Sequence, residues 1–193
     1  MIRSSAAPDD ERALIERART DPDAFAELYR RHVDGIHRFA RRRTGDDAEA
    51  EDITSVTFER ALAGLGRFRP GPDGIAPWLY RIAGNEIIDR QRRAGRRRGD
   101  RAQRAADRSG DRVAHDDTDA IERGDETRRL RAALASLNPR YQQALSLRYL
   151  ADLDATQAAA AMDMPRKRFA VVLHRATTAL RAVLADLDPG DDS

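Results

Sequence analysis

The sequence contains no cysteine, only one tryptophan, and no apolar run near the roughly 20 residues that a membrane-spanning helix needs. The missing cysteines exclude disulfide bonds, thiolate metal sites and cysteine nucleophiles. The segment from Met1 to Arg12 is polar and acidic, unlike the basic and apolar start of a secretory signal. We therefore expect a cytoplasmic protein without membrane insertion.

Residue patterns for catalysis are also missing. The four histidines, His32, His37, His115 and His174, are scattered over different segments. The sequence has no HExxH or GxSxG motif and no glycine-rich phosphate loop. We predict no catalytic residue, no bound metal and no cofactor.

Charge is abundant and is arranged in blocks. The 35 basic residues nearly balance the 33 acidic ones, which gives a formal net charge of +2. Acids gather between residues 46 and 52, whereas arginines gather between residues 90 and 98. Blocks of opposite sign indicate two different partners.

Apolar residues recur at three- and four-residue spacing almost throughout, which predicts an all-α fold. Asp21 and Pro22 form the cap and the first position of one helix, and Gly45 ends it. Asp46 opens a second helix. The stretch 66–77 is rich in glycine and proline, and it predicts a loop before a third helix.

Apolar periodicity is absent from about residue 94 to 124, so we predict a flexible linker between two small helical domains. In the second domain, a short helix, a tight turn at 163–165 and a longer helix form a helix-turn-helix. The predicted organisation is an N-terminal extension at 1–20, a first domain at 21–93, a linker at 94–126, a second domain at 127–187 and an acidic tail at 188–193.

The second helix of the helix-turn-helix begins with three basic residues, Arg166, Lys167 and Arg168. Such a helix can lie in the major groove with its N-terminal side chains facing base edges or phosphates. His174 and Arg175, further along, are placed to contact the DNA backbone. The simpler interpretation is a common helical hairpin with solvated charges, and the motif alone leaves both open.

Aromatic and basic residues are interleaved around the start of the third helix. Arg67, Phe68 and Arg69 precede it, and Trp78 and Arg81 lie in its first turns. Aromatic rings stack on unpaired bases while arginines contact phosphates, which suits single-stranded DNA. A core role is the simpler alternative for the rings and is favoured for Trp78, whereas partner contact is favoured for the arginines.

The second helix is acidic beyond its first turn. Acids at its start are favourable for the helix macrodipole, but Asp52, Val56 and Glu59 continue the stripe at steps of four and three. This stripe is a candidate protein-docking face, with a solvated face as the alternative.

Taken in order, these segments resemble the extracytoplasmic-function subfamily of bacterial RNA polymerase sigma factors, over about residues 21–187. Residues 49–61 are similar to the acidic helix with which the family grips the coiled coil of the polymerase β′ subunit. The resemblance implies that the polymerase-binding residues are Glu49, Glu51, Asp52, Thr57, Phe58 and Arg60.

The two predicted domains resemble sigma region 2 and sigma region 4. Residues 77–93 look like the segment that melts and reads the minus-ten promoter element, and the loop at 67–74 matches the place where the family captures a flipped base. The implied minus-ten DNA contacts are Arg67, Phe68, Arg69, Arg81, Asn85, Asp89, Arg92 and Arg93. Residues 137–149 and the helix-turn-helix resemble the minus-35 reader, which implies upstream-element contacts from Arg166, Lys167, Arg168, His174 and Arg175.

The sequence departs from the family pattern in three places. Ser55 and Val56 stand where Gln and Glu are usual, which trims the acidic face. Asp163 stands where the turn usually has glycine, so we expect a strained or differently shaped turn. Ala170 and Val172 occupy recognition-helix positions that are commonly Lys or Ser and Arg, which is expected to weaken binding to the upstream element.

The resemblance implies a non-enzymatic sigma factor that binds the β′ and β subunits of core RNA polymerase and directs promoter recognition, DNA opening and transcription initiation. It also implies an anti-sigma factor as a partner. The residues alone leave two alternatives. A free-standing helix-turn-helix regulator would bind a palindromic site as a dimer. A helical protein-binding adaptor would show no salt-dependent affinity for DNA.

Overall fold

The computed structural model describes residues 8–106 and 123–187. Within these ranges no strand occurs, apart from an isolated bridge between Gly71 and Gly74, and the predicted all-α fold is confirmed. The helices are α1 Pro8–Arg17, α2 Pro22–Thr44, α3 Asp47–Gly64, α4 Ala76–Ala106, α5 Arg123–Ser136, α6 Pro139–Leu145, α7 Ala155–Ala161 and α8 Arg166–Leu187. A 3₁₀ turn, Leu65–Arg67, follows α3, and a π-helical turn, Ser146–Leu150, continues α6.

Local capping groups set the junction between α2 and α3, as the sequence predicted. The side chain of Asp21 accepts a hydrogen bond from the backbone N–H of Asp23 at the start of α2. Gly45 ends α2 with a left-handed φ of 84°, and Asp46 accepts a hydrogen bond from the backbone N–H of Glu49, at 2.7 Å. Because one helix ends where the next is capped, the chain turns sharply and α2 packs beside α3.

The first domain is built from α1 to α4. The largest fully buried side chains of its core are Ile15, Leu28, Ile36, Phe39, Ile53, Leu65, Ile75, Leu79 and Ile87. α1 contributes to this core, although the sequence prediction placed residues 1–20 outside the domain. Leu14, Ile15 and Ala18 lie on one face of the segment and are all buried. Their spacing, after three acids at 9–11, is the signal that would have identified this helix.

α4 continues well past residue 93, where the predicted first domain ends. It extends to Ala106, and α5 begins at Arg123, so both ends of the predicted linker are helical. Arginine and alanine are strong helix formers, and they extend α4 here without an apolar stripe. Residues 107–122 of the predicted linker and the predicted tail at 188–193 lie outside the described residues.

The second domain consists of α5 to α8. A small cluster of Leu134, Leu137, Leu145 and Ala176 holds α5, α6 and α8 together. α7 opens with a capping box, in which Asp154 and Gln157 satisfy each other's backbone N–H groups. α7, the turn that follows it and α8 form the predicted helix-turn-helix.

The two domains pack against each other. One cluster of buried apolar residues spans the contact and includes Ile87 of α4 together with Leu147 and Ala158 of the second domain. At the contact, Arg43 of α2 is 3% exposed and donates a hydrogen bond to the side-chain oxygen of Gln142 in α6. The described part of the chain is therefore closed, with α7 lying against α4.

Arg43 is a buried cation at this domain contact. Burial lowers its pKa to about 10. Its Nη2 is hydrogen-bonded to Gln142 and, at 3.3 Å, to Gln91, but its Nη1 has no hydrogen-bond partner among the described residues. Two amide oxygens offset only part of the cost of taking a guanidinium out of water.

Candidate polymerase-docking and nucleic-acid-binding surfaces

The acidic face of α3, made up of Glu49, Glu51, Asp52 and Glu59, is turned to solvent. Glu49 is half-buried and the other three are exposed. The side chain of Asp52 is 72% exposed, and its Oδ2 lies 3.5 Å from Nη1 of Arg90. Leu62, which the sequence interpretation missed, is 56% exposed and lies three residues beyond Glu59. Acids in line with an exposed leucine form a surface that is typical of protein docking.

Two of the predicted polymerase contacts lie in the core. Thr57 is fully buried, and its hydroxyl donates a hydrogen bond to the carbonyl of Ile53 at 2.7 Å. Phe58 is 5% exposed, and its ring centroid lies 4.6 Å from that of Tyr29. Thr57 follows the buried Ile53 by four residues and Phe58 follows the buried Thr54 by four, so both lie on the inward side of α3. Thr57 and Phe58 therefore hold α3 in place, as expected for the packing of Phe58, and their contact with polymerase stays a prediction.

A buried carboxylate ties α3 to α4. The side chain of Glu86 is 4% exposed, and its Oε1 accepts a hydrogen bond from Nε of Arg90 at 2.8 Å. Nη2 of Arg60 lies 2.7 Å from Oε2, as an ion pair without hydrogen-bond geometry. The hydrogen bond to Glu86 raises the pKa of Arg90. Arg60, a predicted polymerase contact, thus fixes α3 against α4, while nearly half of its side chain stays exposed.

The α3–α4 loop, residues 68–75, presents stacked rings. Phe68 and Trp78 lie face to face, with ring centroids 4.5 Å apart and 15° between the ring planes. Both residues are half-buried, and Arg67 and Arg69 are exposed on either side of Phe68. A cleft of about 630 Å³ separates this loop from the helix-turn-helix turn at 163–165. The loop thus offers ring surface and cations to a single nucleic acid strand.

The predicted minus-ten residues of α4 mostly meet in a second cleft of about 630 Å³. The α4 side of this cleft is lined by Arg81, Asn85, Asp89 and Arg92. The second domain lines the other side with Arg140 and Arg168. The structure therefore brings one predicted upstream-element residue, Arg168, to the same cleft as four minus-ten residues. Arg93 is exposed but does not line it.

All five predicted upstream-element residues lie on the exposed side of α8: Arg166, Lys167, Arg168, His174 and Arg175. The inward face of α8 carries Phe169 and Val172, which are 0% and 7% exposed. Val172 therefore packs in the core, and the expected weakening of upstream-element binding stays a prediction. Ala170 and Val171 are exposed, so the apolar part of the recognition surface lies at these two residues.

The turn of the helix-turn-helix contains a non-glycine residue in the left-handed region. Asp163 has a φ of 51°, and its N–H donates a hydrogen bond to the carbonyl of Ala160 at 3.0 Å. Aspartate adopts this conformation at a cost, whereas glycine adopts it freely. The turn keeps the geometry that glycine favours, and Asp163 bears the strain expected from the sequence.

We expect Asp163→Gly to raise the free energy of unfolding by about 1 kcal/mol, because the substitution removes this backbone strain. Denaturant unfolding followed by circular dichroism measures the change. Ala170→Gly, at an exposed position inside α8, is the matched control and should lower stability by about 1 kcal/mol. Equal losses in the two variants would contradict the strain assigned to Asp163.

The described residues show neither a metal site nor a membrane-spanning helix. No group of three or more histidines and acids there could hold a metal ion. No helix within the same ranges is both long and apolar enough to cross a bilayer.

Comparisons with known proteins match the same two segments. The model of Sigma-70 region 2 matches residues 28–97, and that of Sigma-70, region 4 matches residues 127–180. The chain is 30% identical to the ECF RNA polymerase sigma factor BldN of Streptomyces coelicolor, over 90% of this chain and 65% of BldN. It is 30% identical to the RNA polymerase sigma factor CarQ of Myxococcus xanthus, over 86% of this chain and 92% of CarQ.

A solved structure agrees with the sequence matches. CnrH, in complex with the cytosolic domain of CnrY, aligns with a TM-score of 0.61 at 25% identity, over 92% of this chain and 98% of CnrH. The family matches cover both domains, and the relatives extend across the described residues. This chain therefore belongs to the extracytoplasmic-function subfamily of RNA polymerase sigma factors.

Proposed function

We propose that this chain binds core RNA polymerase, contacts promoter DNA at two elements and directs transcription initiation without catalysing a reaction itself. The observation that carries the proposal is the construction of the first domain. There the acidic face of α3 is joined through Glu86 to α4, which carries the residues of the DNA cleft. One rigid unit thereby supports both a protein-docking surface and a nucleic-acid surface.

Polymerase docking is assigned to the acidic face of α3, with the β′ subunit as its partner and the β subunit as the partner of the second domain. Glu51, Asp52 and Glu59 are exposed and would meet a basic surface. Leu62 supplies an apolar contact at the end of the same face. Charge complementarity of this kind steers association and fixes its orientation.

Promoter opening is assigned to the α3–α4 loop and the cleft side of α4. Extruding a base from duplex DNA costs a few kcal/mol. Stacking of that base on an aromatic ring stabilises the extruded state by about 1–3 kcal/mol and so offsets part of the cost. The stacked pair of Phe68 and Trp78 provides the ring surface. Arg67 and Arg69 are placed to contact phosphates of the strand, while Asn85 supplies hydrogen-bonding groups for base edges.

Upstream recognition is assigned to α8, whose first residues are basic and exposed. We expect Arg166→Ala to weaken binding to the upstream element by about 1–3 kcal/mol if this side chain contacts a base. A phosphate contact would instead weaken binding to all sequences equally. It would also reduce the slope of log affinity against log salt concentration by about one. Fluorescence anisotropy with upstream duplexes at several salt concentrations measures both. Arg30→Ala, on α2, is the control and should bind like the parent. Equal affinity of Arg166→Ala and the parent would contradict a contact between Arg166 and the upstream element.

An anti-sigma factor and a cytoplasmic setting complete the proposal. CnrH, which aligns with this chain, was solved together with the cytosolic domain of a second protein, CnrY. By that likeness, we assign to this chain a protein partner that restrains it in the cytoplasm, where RNA polymerase acts.

The proposal is tested by in-vitro transcription with purified bacterial core polymerase, with and without this protein, on a fragmented library of the genome that encodes it. Sequencing of the transcript starts should reveal protein-dependent starts that share two spaced upstream motifs. An absence of such starts, with protein shown to be folded, would overturn the proposal. Dimeric binding to a palindrome without polymerase would then favour a regulator, and a lack of salt-dependent DNA binding would favour an adaptor.

A further inference from the structure

Two side chains from the N-terminal helical segment reach the two ends of the α3–α4 loop. Nη2 of Arg19, just after α1, donates a hydrogen bond to the carbonyl oxygen of Phe68 at 2.9 Å. Nη1 of the same guanidinium lies 2.8 Å from Oε2 of Glu16, which orients it. At the other end, the carboxylate of Glu11 in α1 lies against Gly74, and the nearby backbone N–H of Ile75 helps to lower its pKa.

The contact at Gly74 requires glycine. A Cβ atom at this position would lie 2.1 Å from Oε2 of Glu11, and the backbone φ of 67° is in the left-handed region. The N–H of Gly74 also donates to the carbonyl of Gly71 at 3.3 Å, which closes the loop tightly. Both features let the Glu11 carboxylate approach the main chain of the loop closely.

Glu11 is itself fixed from the opposite side. Its Oε1 lies 3.2 Å from Nε2 of His32 in α2, and both side chains are largely buried. The hydrogen bond to His32 is the largest influence on Glu11 and lowers its pKa. The carboxylate is therefore ionised at neutral pH and held between α2 and the loop.

The position of the Phe68 ring depends on these anchors. The ring stacks on Trp78, while the carbonyl of the same residue is held by Arg19. A loop that is ordered before it binds loses less conformational entropy when it captures a ligand. Glu11 and Arg19 lie before both family-model matches, the first of which begins at residue 28, so they belong to the segment that precedes the matched region.

We propose that Glu11 and Arg19 are positioning residues that hold the α3–α4 loop in its base-capturing conformation before DNA arrives. The inference rests on the proposed function, since capture of a promoter base gives the loop its role. Neither side chain needs to touch DNA, because each acts through the main chain of the loop.

The first experiment uses the protein without polymerase or DNA. Trp78 is the only tryptophan of the chain, so its fluorescence reports on the ring stack with Phe68. We expect acrylamide quenching of Trp78 to increase in Glu11→Gln and Arg19→Met, with far-UV circular dichroism unchanged. Arg19→Lys keeps the positive charge but loses the planar guanidinium, so it should give a smaller increase in Trp78 quenching. Glu27→Gln and Arg30→Met are controls that remove an ion pair on α2. In both, acrylamide should quench Trp78 fluorescence as much as in the parent.

The second experiment measures transcription by the holoenzyme from a duplex promoter found for the parent chain. We expect about a tenfold loss in Glu11→Gln and Arg19→Met, a size typical of a lost charge-assisted hydrogen bond, and none in the α2 controls. Unchanged quenching in both variants would overturn the anchoring, and increased quenching with full transcription would overturn its role in opening. If the parent itself supports no transcription, the proposed function fails, whereas the quenching result still decides whether the loop is anchored.

Discussion

A chain carrying Gly84→Cys and Gln143→Cys is expected to lose nearly all promoter-directed transcription when oxidised and to regain it when reduced. A Cβ atom at Gly84 would lie 3.9 Å from Cγ of Gln143, so the two positions face each other across the domain contact. A disulfide joins Cβ atoms about 3.5–4.5 Å apart, which a small adjustment here allows. The natural chain has no cysteine that could compete for the pair.

The reason for the expected loss is the position of the bond. It would keep α6 and α7 over the side of α4 that carries Asn85 and Asp89, and a strand of DNA could not enter the cleft between them. The two single substitutions, each with one thiol, control for local damage and should stay active under both conditions. Full activity of the oxidised pair, with the disulfide shown by mass spectrometry, would mean that the closed arrangement leaves the DNA surface accessible.

Asp52→Arg is expected to weaken binding to core RNA polymerase at least about tenfold, or about 1.4 kcal/mol. The side chain of Asp52 is 72% exposed, and reversal of its charge would place a cation where a basic partner surface is expected to dock. The new arginine of α3 would also stand beside Arg90 of α4, so this surface would present two neighbouring cations instead of an ion pair. Competition against a labelled parent chain for core enzyme measures the change.

Two further variants separate docking from a general charge effect. Asp34→Arg makes the same charge change on α2 at an exposed position, and it should bind like the parent. Asp52→Asn removes the charge without reversing it and should give an intermediate loss. Equal affinity of Asp52→Arg and the parent, with both folded by thermal unfolding, would move polymerase docking to another surface.

Features that depend on a few neighbouring residues could be predicted from the sequence. The caps at Asp21 and Asp46 and the glycine stop at Gly45 satisfy backbone groups within one turn, so the order of residues determines them. The exposed basic start of α8 is of the same kind, because its spacing from Phe169 sets which side faces out. The resemblance to a known family then placed these elements in a functional order.

Features that depend on distant residues could not be predicted in this way. Nothing local marks Glu86 as the partner of Arg60, because the two belong to different helices and meet only after packing. The family resemblance assigned Thr57 and Phe58 to a partner surface, but their burial depends on how α3 sits against α2. The contact between the domains could not be predicted either, because it joins segments on either side of the predicted linker.

The buried guanidinium of Arg43 makes the closed arrangement easier to leave than its apolar contacts alone would allow. The pKa of Arg43, lowered to about 10 by burial, shows that the packed arrangement disfavours the charged guanidinium, and this cost opposes the domain contact. Separation of the domains returns this charge to water. If DNA binds open molecules only, its apparent dissociation constant is the intrinsic value divided by the open fraction. We therefore expect the residue at position 43 to affect promoter affinity without touching a promoter base.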